Sequence, residues 1–373
     1  MRFWLILLVS LVVLMSSSAS GRTWYIKADG TGDVPTIQAA VDSALAGDEI
    51  VLESGTFRGS GNRAIDVHTD YLYFRSDSED PAACIIDCEG AGRGFKFYAT
   101  SGNEAPYRLK GIRLEGITVR NGSADAGAAL YCEYGGITVT NCVFEGNRNY
   151  AIDLEYSTGV FTDCMFNDNY YFLDAYVSSV WFTQCTFFHN TGMAALWYVA
   201  MGYFAECTVY RNGGRFYICD SSYGQFRFCT FWYNNSSRAL FELRVLDTEY
   251  RDASLDLTNC VVANSYHGYP VYRYPGGDVF ISASCTDIHG NAGGDWIGPI
   301  ASYNGTNGNF SLCPSFCNAD FGDFHLCDGS PCLPGNHPTG RNCGVIGAWD
   351  AGCSCGPSRT EPSTWGAIKS MYK

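Results

Sequence analysis

The chain has 373 residues, with 38 Asp+Glu against 24 Lys+Arg and a net charge of −14. Such a surface repels nucleic acid and anionic lipid, and it disfavours polyuronates unless a bound cation inverts the local field. The length asks for two or more globular domains, unless the chain is a solenoid in which each coil packs only on its neighbours.

Residues 1–20 read as a secretory signal. Arg2 supplies the charge, Trp4 to Met15 the apolar run, and Ser16 to Ser20 the small residues suited to cleavage. That run of 12 residues is short of the roughly 20 that span a bilayer, and no later stretch is apolar enough to do so. The mature product is therefore expected outside the cytoplasm, secreted or at the cell surface.

From Ile137 one phrase recurs: VTNCVFEGN, FTDCMFNDN, FTQCTFFHN, FAECTVYRN and FRFCTFWYN. It places Cys142, Cys164, Cys185, Cys207 and Cys229 at spacings of 22, 21, 22 and 22 residues. LTNCVVANS carries Cys260, Cys285 marks a further copy, and LEGITVRNG places Gly116 and Asn121 upstream. Aromatic or Val residues three before and two after each Cys alternate as a half-buried strand does. Asn147, Asn169, Asn190, Asn212 and Asn234 follow five residues after, at a turn where a left-handed backbone and stacking with its own kind suit Asn.

A period near 22 with strands and turns but no helix selects a β-solenoid. Equivalent residues of adjacent coils then lie about 4.8 Å apart and form ladders, Cys on Cys, Phe on Phe and Asn on Asn. The opening WYIKADGTGDVPTIQAAVDSALAGDEIVLESGTF, taken with this repeat, resembles the pectin-lyase-like right-handed β-helices. That resemblance implies an all-β, right-handed parallel β-helix with a capping helix over Thr36–Leu45. The expected organisation is a signal (1–20), an N-terminal strand and capping helix (21–48), coils (49–310), a Cys-rich C-terminal cap (311–355) and a linker with a terminal tail (356–373). The scaffold hosts lyases, hydrolases, epimerases, adhesins and spacers, so it does not select an activity.

Eighteen cysteines in an exported chain invite disulfides. The seven ladder cysteines nevertheless recur as core positions with parallel side chains, which favours free thiols there. Cys313, Cys317, Cys327, Cys332, Cys343, Cys353 and Cys355 crowd into 43 loop-rich residues. They read as a disulfide-stapled end cap, with a zinc site as the less favoured alternative. FHLCDGSPC and CGVIGAWDAGC resemble the closing segment of bacterial secreted β-helix proteins. The final WGAIKSMYK resembles a terminal tag that a sorting or attachment system would read, with a frayed end as the alternative.

Counting back from each Cys aligns YCEY, DLEY, DAYV, LWYV and ICDS. Leu130, Ile152 and Leu173 then point inward, and Tyr131, Glu133, Asp153, Glu155, Asp174, Tyr176, Tyr198 and Asp220 outward. Asp153 and Asp174 stack one coil apart, with Glu155 alongside. Carboxylates held so closely raise one another's pKa or share a cation, calcium being the candidate. They are the candidate catalytic or metal-holding residues, and Tyr131, Glu133, Tyr176, Tyr198 and Asp220 the candidate carbohydrate-binding ones. A polar outer face with no chemistry is the alternative. The Asn-Thr-Asp, Asp-Asp and Gly-His-Gly motifs of polygalacturonases and the Arg-x-Pro-x-x-Arg of pectate lyases are missing, and no Lys or Arg lies on the proposed strands. The expectation is a non-catalytic module that binds a polysaccharide or cell-surface glycan, or serves a structural or adhesive role. A glycoside hydrolase or calcium-assisted lyase is the alternative, with the insertion around FELRVLDTEYRDA the expected source of an overhanging loop.

Overall fold

The computed structural model describes residues 21–99, 109–246 and 252–354. The expected signal (1–20), the expected linker and tail (356–373), Cys355 and part of the expected overhanging loop fall outside them. Among the described residues no helix is long and apolar enough to cross a membrane.

The chain winds as a parallel β-helix with three faces. The first sheet has eleven strands, from Thr23–Ile26 to Asp278–Ser284; the second has nine, from Ile65–Val67 to His267–Arg273; the third has ten, from Gly55–Phe57 to Asp287–His289. One coil illustrates the rest: Tyr150–Glu155 in the second sheet, Thr158–Thr162 in the first and Met165–Asn167 in the third. Tyr171–Tyr176 then begins the next coil, paired in parallel with Tyr150–Glu155. This is the all-β fold expected from the repeat.

The ladders form as the period requires. Phe161 stacks on Phe182 and Phe166 on Phe187, each with ring centroids 4.9 Å apart. These rings are fully or almost fully buried, and each stabilises the fold by about 1.5–3 kcal/mol through area removed from water. Cys142, Cys164, Cys185, Cys207, Cys229 and Cys260 are buried free thiols. The Cys185 thiol donates to the Thr183 carbonyl at 3.4 Å and lies 3.5 Å from that of Phe161. Burial pushes the five thiols from Cys142 to Cys229 well above their ordinary pKa, so they remain protonated and unreactive.

The seventh expected ladder cysteine is a correction. Thr286, not Cys285, lies in register after Cys260, and its hydroxyl donates to the Ser284 carbonyl as the thiols do. Cys285 occupies the preceding corner, with φ 48°, and forms a disulfide with Cys343. A second correction concerns the Asn ladder. The left-handed residues are those just before it, Gly146, Asp168, His189, Arg211 and Tyr233. The asparagines themselves are buried; Asn169, Asn190, Asn212 and Asn234 each offer the carbonyl oxygen to the backbone and side-chain N–H groups of the asparagine one coil before, and Asn147 offers its own to the Gly122 N–H. Asn190 Oδ1 accepts from Asn169 N and Nδ2, both at 3.0 Å, and Asn190 Nδ2 donates to the Phe166 carbonyl at 2.9 Å.

Both ends are closed. Helix Ile37–Ser43, N-capped by the Thr36 hydroxyl, buries Ile37, Ala40 and Val41 against the first coils. At the far end Trp296 and Ile300, the latter in the 3-10 helix Gly298–Tyr303, join the core. The cysteine-rich segment is stapled by disulfides, as expected. It folds back along the outside of the third sheet as a small three-stranded sheet, Phe316–Asn318, Asp323–Cys327 and Ala351–Cys353. Phe316 and Phe324 pack on Trp232 and Tyr210, and the Trp349 indole donates to the Thr208 hydroxyl at 2.8 Å. Disulfides Cys285–Cys343 and Cys317–Cys353 secure it.

Replacing Asn190 with Ala strands the Asn169 donors in a dry corner, so Asn190→Ala is expected to lower unfolding stability by about 2–4 kcal/mol in a denaturant titration. A loss below about 0.5 kcal/mol would mean that the turn, not the ladder, holds the corner.

Candidate functional site

The second sheet carries the chemistry. Its outward row runs through Tyr131, Asp153, Asp174, Ala195, Tyr217 and Glu242, paired coil by coil. A parallel row two residues on holds Glu133, Glu155, Tyr176, Trp197, Cys219 and Arg244. The expected stacking of Asp153 on Asp174, with Glu155 beside them, is the observed register.

Tyr198 and Asp220 are misplaced by the sequence alignment. Two left-handed residues, Tyr198 with Val199 and Asp220 with Ser221, form these corners. The extra residue shifts the strand by one when counted back from the Cys, and a one-residue slip exchanges faces. Trp197 and Cys219 occupy the row instead. Asp220 is fully buried and accepts a hydrogen bond from the Leu246 N–H. Tyr198 packs on Tyr176 with centroids 5.2 Å apart.

The aromatic ladder also limits what the tyrosines offer. Tyr134 and Tyr156 stack at 4.9 Å and 7°, so their faces cover one another. Tyr176 meets Tyr156 edge-on at 5.5 Å. A free aromatic face arises where a row is interrupted, and Ala195 is that interruption. Ala194 and Ala195 floor a cleft of about 260 Å³, with only the Ala195 side chain on the outer face, walled by Tyr150, Tyr171, Trp197, Arg215 and Tyr217. A Cβ at Gly192 would lie 2.0 Å from the Tyr171 ring, so this wall requires glycine there. Trp197 and Tyr217 meet nearly edge to face, with centroids 5.0 Å apart.

Charge is arranged in bands along the sheet. Asp153 is 6% exposed, and one Asp174 oxygen is buried without a hydrogen-bond partner among the described residues. Burial first, then Asp174 and Glu155, push the Asp153 carboxyl up to about 7, against the pull of Arg93. Burial and Glu155 likewise push Asp174 up to about 7, opposed by the Ala175 N–H and the Trp197 indole. Cations flank these acids. Arg93 lies over the Tyr131 ring at 5.0 Å on one side, and on the other Arg215 lines the cleft. The strands named from sequence carry no Lys or Arg, but adjacent residues and coils bring them to the same face. Sequence reasoning missed Tyr150, Tyr171, Trp197, Arg215, Tyr217 and Glu242. The available signal was the second alanine of MAALWY, Ala195, where other coils carry larger outward residues.

Asp153, Glu155 and Asp174 are not among the groups of three ligand atoms lying within 4.8 Å of one another. The group found among the described residues is Cys317, Cys327 and Cys353. Cys317 and Cys353 share a disulfide, which removes the thiolates a zinc ion would need.

The family described as right handed beta helix region matches residues 50–191 and 128–245. No curated relative matches. Among solved structures, the A-module of mannuronan C-5 epimerase AlgE6 from Azotobacter vinelandii is 14% identical, with TM-score 0.49, over 69% of this chain and 72% of that one. Pectate lyase Pel9A is 13% identical, with TM-score 0.48, over 90% and 97%. A pectin methylesterase from carrot is 13% identical, with TM-score 0.42, over 87% and 95%.

The carboxyl pair has a signed consequence for stability. A carboxyl whose folded pKa is raised contributes fully below its unfolded value near 4, and that contribution is lost as pH rises through about 7. Unfolding midpoints should therefore fall between pH 4 and pH 8, each carboxyl accounting for a few kcal/mol at most, on the order of the raised pKa. Asp153→Asn with Asp174→Asn should flatten that fall and raise stability at pH 8. Parallel profiles for variant and parent would contradict the burial of the pair.

Proposed function

The chain belongs to the right-handed β-helix family, and on that premise we propose that it is an extracellular protein that binds an acidic polysaccharide across the cleft over Ala194 and Ala195. The observation that carries this reading is the cleft itself, with rigid aromatic walls and a guanidinium at its edge. Trp197 and Tyr217 supply apolar area for sugar faces at low entropic cost, and Arg215 matches a planar carboxylate. The disulfides suit an oxidising compartment.

The net charge of −14 argued for a neutral glycan or for calcium. Two features favour the acidic ligand instead. Arg215 puts a cation at the edge of the cleft, opposite in sign to the charge of the whole protein. Carboxyls that ionise near pH 7 also hold a calcium ion poorly below that pH.

A second reading is cleavage, and the Asp153–Asp174 pair favours it specifically. A carboxyl with a pKa near 7 is suited to donate a proton to a leaving oxygen at neutral pH, and an ionised neighbour to act as base or nucleophile. Asp174 is the better placed, since Trp197, its hydrogen-bond partner, lines the cleft.

The test is incubation with neutral and acidic polysaccharides, with and without calcium, recording retention and the release of reducing or unsaturated ends. Retention on acidic chains without added calcium, lost in Trp197→Ala, is the expected result. End release abolished by Asp174→Asn would establish the second reading. Neither signal on any chain would leave a structural or adhesive surface protein and would overturn the proposal.

A further inference from the structure

Beyond Tyr217 the outward row carries a buried acid, Glu242, which pairs in turn with Tyr272. Glu242 is fully buried, within the ten-residue strand Asn235–Arg244. One oxygen, Oε2, accepts the Tyr274 hydroxyl at 2.8 Å and forms an ion pair with Arg215, 3.2 Å from its Nε. The other, Oε1, is buried with no partner among the described residues. Above the acid, arginines and tyrosines interleave. Arg238 lies over Tyr272 and Tyr274 at 5.0 and 5.1 Å, and Arg244 over Tyr274 at 4.9 Å.

A wholly buried carboxylate with one oxygen unmatched is costly. Ordinary core packing would place an apolar residue here. What the acid accomplishes is geometric. Its ion pair meets the guanidinium at Nε, on the stem side of the group, and so tethers Arg215 beside the cleft. Arg215 remains 44% exposed and lines the cleft.

We propose that Glu242 is a positioning residue that locks Arg215 for two-pronged capture of a sugar carboxylate lying over Ala194 and Ala195. This rests on the acidic-glycan reading above and goes beyond it by placing the control of charge selectivity in a residue that never touches the ligand. Tyr274 shares the acid and keeps it from rotating. Arg238 and Arg244, stacked on Tyr274, place further positive charge beside the residue that shares the acid.

The experiment compares binding of an oligouronate with binding of the same oligomer after reduction of its carboxyls to alcohols. Wild type, Glu242→Gln, Arg215→Gln and the double variant are tested, each checked for an unchanged unfolding profile. Glu242→Gln keeps the side-chain shape but removes the charge that holds Arg215, and Glu242→Asp serves as the partial rescue. The expected result is a loss of about tenfold for the oligouronate in either single variant, little further loss in the double variant, and no change for the reduced oligomer. Equal losses on both oligomers, or losses that add in the double variant, would overturn the positioning role. Wild-type protein that binds neither oligomer would sink the glycan reading and this inference together. Wild-type binding that is indifferent to Glu242→Gln would sink this inference alone.

Discussion

The hydrogen-bonded stacking of each coil on the one before constrains everything else in this molecule. Parallel pairing fixes equivalent residues about 4.8 Å apart, so a residue type tolerated at one level must tolerate a copy of itself above and below. Asparagine meets that demand at a dry corner because its amide is donor and acceptor at once, and Asn147, Asn169, Asn190, Asn212 and Asn234 form a continuous chain. Phenylalanine meets it by offset stacking, and cysteine by donating to its local carbonyl. The same constraint makes acids on adjacent coils expensive. Asp153 and Asp174 depart from the self-compatible pattern, and the cost appears as carboxyls that ionise only near pH 7.

The cleft is the complement of that rule. Ladders of large outward side chains close a β-helix face into a flat wall, with ring faces turned toward one another. At Ala195 the row drops to a methyl group between Asp174 and Tyr217, and the neighbouring rings then border a hollow. The site needs no loop to build it. It needs one small residue, glycine at 192 to admit Tyr171, and long side chains from neighbouring coils reaching the gap. Asp153, Glu155 and Asp174 lie before the gap, and the guanidinium of Arg215 borders it.

The fold was legible because the 22-residue phrase states the coil length, the inward positions and the corner residue directly. The stacked acids were legible for the same reason, since Tyr131, Asp153 and Asp174 lie at one distance from their cysteines. The alignment failed at Tyr198 and Asp220 because the coil length reports an added residue without saying at which corner it sits. Cys285 was misread because a cysteine one place from the ladder position looks like a ladder member, whereas Thr286 fills that place with a hydroxyl. The cysteine-rich segment was legible as loops and staples, but its composition does not show the surface they cover. Arg215 and Glu242 were invisible for a different reason. One is a corner residue whose side chain reaches across a coil, and the other lies in an irregular insertion that the repeat does not index.

The most direct test restores the interrupted ladder. Ala195→Tyr places a ring between Asp174 and Tyr217 and fills the hollow without touching the carboxyls or the arginines. Retention on an acidic polysaccharide should disappear while the unfolding profile is kept. A folded Ala195→Tyr protein that is retained as well as the parent would show that the gap in the row is not the binding site.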